Sequence, residues 1–502
     1  MTTARALLAT APAEPCHPLP RRTLDSAGWA ELVAALVEDK TLELRAMWAD
    51  QTQVFAIFLD PEDGAALFAS VKVELGLYHA LSPARASAVL FERMIHDLWG
   101  HTAANALDLR PFLDHGNWTA TPPLASRKFP NLTAPEPKEF LPAEGEGLHR
   151  IPVGPVHAGI IAPGHFRFTA QGEIVVRLEA RLGYLHKGTL GLVIGKSPRL
   201  AARFAARLSG DSTVAHSVAF ARAAEAAANL LAPPRAEALR CVMAEIERIA
   251  NHLGDIGAIV NDAAFALLQA RFVWHREMIL RAAERAFGHR LMMDAVVPGG
   301  VAVDLAPGGD QAILAALDTL AAEWDDMLSV YDNSSSLADR MQTTGTLSPE
   351  LAASFAPGGF IGRASGQAAD LRRVPGYGLY RDIDVQMPIL TAGDVDARVR
   401  IRMAEVLESA RLLRQLLPRL PEGALIERLD SVNGEGIGWA EGFRGDIWHW
   451  LRVEGGQITA AFLCDPSWRQ WPLLEVAVEG NIVADFPLCN KSFNCSYSGV
   501  DL

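Results

Sequence analysis

Apolar residues recur at threes and fours along RAEALRCVMAEIERIANHLGDIGAI (residues 235–259), with Leu239, Val242, Met243, Ile246, Ile249, Ala250 and Leu253 on one side of a 3.6-residue period. This predicts a long helix buried along one face, preceded by Pro233 and Pro234. Similar periods predict helices near residues 265–287, 310–331 and 396–417, the last stopped by Pro418. The consequence is a bundle of long helices. His252 falls on the buried face of the first, where a lone histidine is more often a hydrogen-bonded core residue than a ligand.

Outside the bundle the period changes. Residues 1–22 are rich in alanine and proline without a sustained period and read as a loose, disordered arm. Residues 23–118 read as a small α/β domain: a helix near residues 29–37, strand-like TLELRAMWAD and QTQVFAIFLD, then helical SPARASAVLFERMIHDLWG, which Gly100 would end. Residues 119–152 turn proline-rich and aperiodic, as expected of a linker lying extended along a partner surface. Residues 153–502 then carry a β-hairpin, the long helices, and a second hairpin in RGDIWHWLRVEGGQITAAFL, whose β-prone runs flank Glu454-Gly455-Gly456-Gln457. The expected fold class is α+β.

Composition narrows the function classes. A chain of 502 residues, half of them apolar, buries a large core and is long enough for more than one domain. No run of eighteen apolar residues exists and the amino terminus lacks the apolar centre of a secretory signal, so the expected location is cytoplasmic. A net charge of −13 argues against nucleic acid and against a basic face docked on anionic lipid. Any membrane association would run through protein partners. The five cysteines (Cys16, Cys241, Cys464, Cys489, Cys495) form no C-x-x-C pair, which argues against a disulfide framework or a cluster held by this chain alone.

The candidate chemistry lies in residues 154–217. GPVHAGIIAPGHFRF holds His157 and His165 between tight turns, RLGYLHKG gathers Tyr184, His186 and Lys187, and SGDSTVAHS is a polar turn that opens an alanine-rich helix containing His216. In this order and spacing the three motifs resemble the large subunit of membrane-bound energy-converting nickel–iron hydrogenases, of the hydrogenase-4 component G type, and the homologous quinone-site subunit of complex I. The stretches Arg363-Ala364-Ser365-Gly366 with Asp370-Leu371-Arg372, and DPSWRQWPLLEVAVEGNIVADFPLCNKSFNCSYSGVDL, are similar to the same family. FERMIHDLWG with DLRPFLDHGNW resembles the complex I subunit that sits beside the quinone-site subunit, so two modules are fused in one chain.

The resemblance implies a site and a departure from it. In the hydrogenases two C-x-x-C pairs hold nickel and iron through four thiolates; the matching positions here are Ser209, Ser212, Cys495 and Ser498, and soft sulfur suits that metal pair where hydroxyl does not. The family's proton-relaying glutamate before Pro-Gly-His-Phe is Ala162. One of Ser209, Asp211 and Ser212 is expected to cap the helix that follows. The resemblance implies no metal in this chain, electrons arriving from a cluster in a small iron–sulfur partner subunit, and quinone or another carrier as acceptor. Coupled ion movement would occur in membrane subunits of a complex I-like assembly. His157, His165 and His216 are the expected cavity residues, with Arg363 and Asp370 as charged supports and Tyr184, Ser209, Asp211, Ser212, Cys495 and Ser498 around the degenerate site. A non-catalytic scaffold and an active hydrogenase are the alternatives.

Overall fold

The computed structural model describes residues 3–116, 118, 121–125, 140–156, 162–429 and 432–502. The long-period text folds as expected: helices Pro234–Asp262, Ala266–Phe287, Gly309–Asp332 and Val395–Leu416 form the bundle. Most of their leucine, isoleucine and valine positions are buried, with Leu267, Val273, Val330 and Leu407 left exposed, and Pro234–Asp262 is buried around nearly its whole circumference from Ala238 to Ala250 rather than along the one expected face. The mixed α+β class is observed.

At the amino-terminal end a five-stranded sheet orders Ala13–Glu14, Arg21–Leu24, Ala66–Lys72, Gln53–Leu59 and Glu43–Ala49, with one parallel pairing, Arg21–Leu24 on Ala66–Lys72. The helix Val89–Trp99 is shorter than the helical text around it and ends at Gly100 in the left-handed region, φ 77°. Its acids clamp the chain: the Glu92 carboxylate accepts from the amides of Leu81 and Ser82, and Asp97 from Phe112 and Leu113. Trp48 of this sheet stacks on Phe462 at 5.1 Å and meets Trp450 at 5.5 Å. The amino-terminal sheet and the carboxyl-terminal half therefore share one core.

Two expectations are corrected, and the expected carboxyl-terminal hairpin is observed with an added strand. Residues 1–22 are not a loose arm: Ala4–Thr10 is a helix, Ala13–Glu14 pairs with Arg21–Leu24, and the buried Arg21 guanidinium binds Glu14 and Glu435. The order comes from contacts with sequence-distant residues, which no local period reports. The proline-rich stretch gives way to a strand, Leu148–Val153, the edge of a three-stranded sheet with His165–Gln171 and Ile174–Arg181. The carboxyl-terminal hairpin Asp446–Glu454 and Gln457–Cys464 gains a third strand, Gly434–Glu441. That strand lies so close to the alanine-rich helix Thr213–Ala227 that a Cβ on Gly438 would stand 2.2 Å from the Ala219 carbonyl oxygen. Alanine on one side and glycine on the other permit the approach.

Candidate functional site

The three motifs meet on the carboxyl-terminal segment, which is buried to its last residue: Asp501 and Leu502 are each 1% exposed. From the first motif, a Cβ on Gly164 would fall 2.6 Å from the Tyr497 ring. From the second, the Leu185 amide donates to Asp501 at 2.6 Å, His186 Nδ1 lies 3.1 Å from the same carboxylate, and Lys187 donates to the Leu208 carbonyl. From the third, the Ser209 hydroxyl is 2.8 Å from that of Ser496, and Ser498 donates to the Leu208 carbonyl at 2.7 Å. Ser209, Ser212, Cys495 and Ser498 thus lie on two loops held against each other.

Arg444 occupies that junction. It comes from the turn between the strands Gly434–Glu441 and Asp446–Glu454 and is 3% exposed. Its Nη1 donates to Ser212 Oγ at 3.0 Å, to Asp211 Oδ1 at 2.8 Å and, longer, to Ser209 Oγ at 3.4 Å; Nη2 binds Asp211 Oδ2 and Nε the Asn494 carbonyl. Burial alone would raise the Asp211 carboxyl, but the Arg444 charge and hydrogen bonds hold it at about 2. Burial raises the Cys495 thiol above its ordinary range, so the sulfur is protonated.

The expected helix cap is corrected here. Ser212 stands at the N-cap position of Thr213–Ala227, but its hydroxyl makes no capping bond. The orphan amides of Val214 and Ala215 donate instead to the Glu247 carboxylate, at 2.7 and 3.0 Å, across from the helix Pro234–Asp262. Burial pushes Glu247 up to about 8.

Behind the junction runs a buried relay. His216 Nε2 lies 3.0 Å from Asp465 Oδ2 and His216 Nδ1 lies 3.1 Å from His449 Nε2. Asp465, held ionised against burial by His216 and Arg444, only accepts. His216 Nε2 therefore carries the proton of that bond, and His449 Nδ1 has no partner among the described residues.

His165 begins its strand beside Arg181, its cross-strand partner, and its ring meets Phe140 at 4.7 Å. Burial, then the Arg167 and Arg181 charges, lower its pKa, so the imidazole is neutral at neutral pH, and Nε2 has no partner among the described residues. Tyr184 does not reach the junction; it stacks on His115 at 4.6 Å and is 36% exposed. His157 lies outside the described residues.

Arg363 and Asp370 belong to a second buried cluster. Arg363 binds Glu405 at 2.7 Å, Glu441 at 3.2 Å and Asp370 at 3.4 Å; Arg372 binds Asp370 at 2.7 Å and Glu245 at 3.1 Å. Glu405 also lies 2.8 Å from His252 Nε2, so that histidine is a partnered core residue. Burial, then the Asp370 carboxylate, push Glu441 up to about 7. Sequence reading missed Arg444, Glu247, Glu441 and His449. Only the -Arg-Gly-Asp-Ile-Trp-His-Trp- text, read above as one arm of a hairpin, holds a signal for Arg444 and His449.

Among the described residues no three His, Cys, Asp or Glu side chains gather as a metal's ligands. No described helix is long and apolar enough to cross a membrane.

Residues 264–432 match the family described as the respiratory-chain NADH dehydrogenase 49 Kd subunit. An NADH-quinone oxidoreductase subunit of Dehalococcoides mccartyi is 30% identical over 308 residues, 60% of this chain and 84% of the relative. Hydrogenase-4 component G of Escherichia coli is 28% identical over 435 residues, 84% of this chain and 76% of the relative. A chain in the structure of the membrane-bound sulfane sulfur reductase, an archaeal respiratory membrane complex, shares the fold with a TM-score of 0.67 at 22% identity. The match covers 71% of this chain and 99% of that one.

Proposed function

The chain belongs to the superfamily of the complex I 49-kDa subunit and the membrane-bound hydrogenase large subunits, and from that premise we propose that it is the electron-accepting subunit of a complex I-like membrane oxidoreductase that works without nickel and iron. Electrons would arrive from a cluster in a small iron–sulfur partner and leave on quinone or another carrier, with ion movement in membrane subunits. On this reading the chain sits on the cytoplasmic side, tethered through those partners.

The observation that carries the reading is the placement of Arg444. A nickel–iron pair needs four thiolates, and the donor set here is three hydroxyls and one protonated thiol. A guanidinium already donates to Ser209 and Ser212, and a cation hydrogen-bonded to those oxygens repels a metal ion. The residues present do not fit the metal pair. What remains suits a carbonyl acceptor. His165, neutral at neutral pH, has an Nε2 without a partner among the described residues, a free position for a bond to a carbonyl oxygen, while the Asp211–Arg444 pair holds the junction in place.

The cavity beside Gly210 and Asp211, about 10 Å3, has room for no more than a water, so an acceptor would bind at the open rim against a partner. The same closure favours the second reading, a scaffold that transmits conformational change. His165→Ala in the purified complex separates them: the electron-transfer reading expects slower reduction of a quinone analogue with the subunits still associated. Unchanged turnover supports the scaffold.

A further inference from the structure

A cleft of about 220 Å3 opens at the seam between the amino-terminal sheet and the helical unit, with Pro61 and Glu62 on one lip and Arg373 and Val374 on the other. Its floor is formed by Asp370 and Glu441. Both carboxyls are otherwise enclosed, at 5% and 1% exposure. The cleft is therefore where solvent reaches the second cluster.

The charges of that cluster do not balance. Four carboxyls (Glu245, Asp370, Glu405, Glu441) meet three guanidiniums (Arg248, Arg363, Arg372). His252, neutral because burial disfavours its charge, adds nothing. One carboxyl must carry a proton for the buried group to be neutral. Three of the four have strong claims on the arginines. Asp370 is gripped by Arg372 through two nitrogens, Glu405 takes Arg363 Nε at 2.8 Å and His252 Nε2 at 2.8 Å, and Glu245 takes Arg372, Arg248, Tyr380 and Ser409. Glu441 has a single Arg363 nitrogen at 3.2 Å and the Leu371 amide at 3.0 Å. Around it stand Asp370 and Arg363, Arg248 on the helix Pro234–Asp262, Asp446 as its partner on the paired strand, the Tyr377 hydroxyl, which accepts from the Glu441 amide at 3.0 Å, and Arg45 across the cleft.

Glu441 also sits three residues before Arg444, on the turn that presents the guanidinium to the junction. Arg248 ties that turn to the cluster by donating to the Glu441 and Gly442 carbonyls at 2.7 and 2.8 Å. These two bonds are the physical link between cluster and turn, and any coupling carried by them is reciprocal.

Resting on the electron-transfer reading above, we propose that Glu441 is a proton-uptake site filled from solvent through the Pro61–Val374 cleft, so that an electron delivered to the Arg444 junction draws in one proton. In this step one water-borne proton converts the Glu441 carboxylate to the acid. The electron comes from the partner's iron–sulfur cluster and stays on the acceptor, and no other bond changes.

The test uses the whole purified complex. Infrared difference spectra across a pH titration of the oxidised wild type are expected to contain a carboxylic C=O band that titrates near neutrality and is lost in Glu441→Gln. This arm needs no electron transfer, so it stands even if the acceptor reading fails. On reduction, wild type is expected to take up a proton that Glu441→Gln does not. Ala368→Trp, which fills the exposed rim without touching the cluster, is expected to slow deuterium exchange of the band about tenfold while leaving its midpoint in place. A band that persists unchanged in Glu441→Gln overturns the assignment of the site, and unchanged exchange in Ala368→Trp overturns the inlet.

Discussion

Arg444 and Asp211 form a paired-fork contact, Nη1 at 2.8 Å from Oδ1 with Nη2 on Oδ2, at the junction where the Ser209 and Ser496 loops meet. Arg444 is buried while Asp211 still meets water, so the pair contributes less than a fully enclosed one. Arg444→Ala strands the two serine hydroxyls as well as the carboxylate. It is expected to lower unfolding stability by about 2 kcal/mol, and Arg444→Lys, which keeps charge but not the fork, by about 1 kcal/mol. Thermal or denaturant unfolding measures both.

Glu247 and Glu475 set an expected pH dependence. Burial raises the first to about 8 and the second to about 7. Because the folded pKa exceeds the unfolded one, each contributes stability that is complete below about pH 4.5 and is lost as pH rises through 7 to 8. Asp211 acts in the opposite sense, its contribution disappearing as pH falls from about 4 toward 2. The melting temperature is therefore expected to peak in mild acid and decline toward pH 8. Glu247→Gln should flatten that decline, and a profile as steep as wild type would contradict the protonation assigned to the helix cap.

Gly438 tests the contact between strand and alanine-rich helix. Its added Cβ would meet backbone atoms, the Ala219 oxygen at 2.2 Å and the Ala223 nitrogen at 2.3 Å, which no rotamer change relieves. Gly438→Ala is expected to cost about 3 kcal/mol, seen as a drop in melting temperature or in soluble yield.

The bundle was legible in sequence because apolar residues recur at threes and fours along each long helix, a pattern that repeats locally even where, as in Pro234–Asp262, burial extends around nearly the whole helix. The strand Gly434–Glu441 was not, since three of its eight residues are glycine, which erases strand propensity while permitting the approach that makes the strand necessary. Residues 1–22 gave no period because Arg21 is ordered by Glu435, far along the chain. At the site, the motifs singled out two loops that the structure brings together, Ser209 touching Ser496. They gave no hint that Glu247, from another helix, caps Thr213–Ala227, nor that Arg444 would stand between the serines. Tyr184 was singled out by proximity in sequence alone and stacks elsewhere.

The proposed function has Arg444 and hydroxyls standing where the resemblance expects a thiolate-bound metal pair. Nickel quantified per chain in the purified complex, with hydrogen uptake assayed on the same sample, decides it. Nickel far below one per chain and no hydrogen uptake are expected; one nickel per chain with hydrogen-dependent electron transfer would contradict the proposed function.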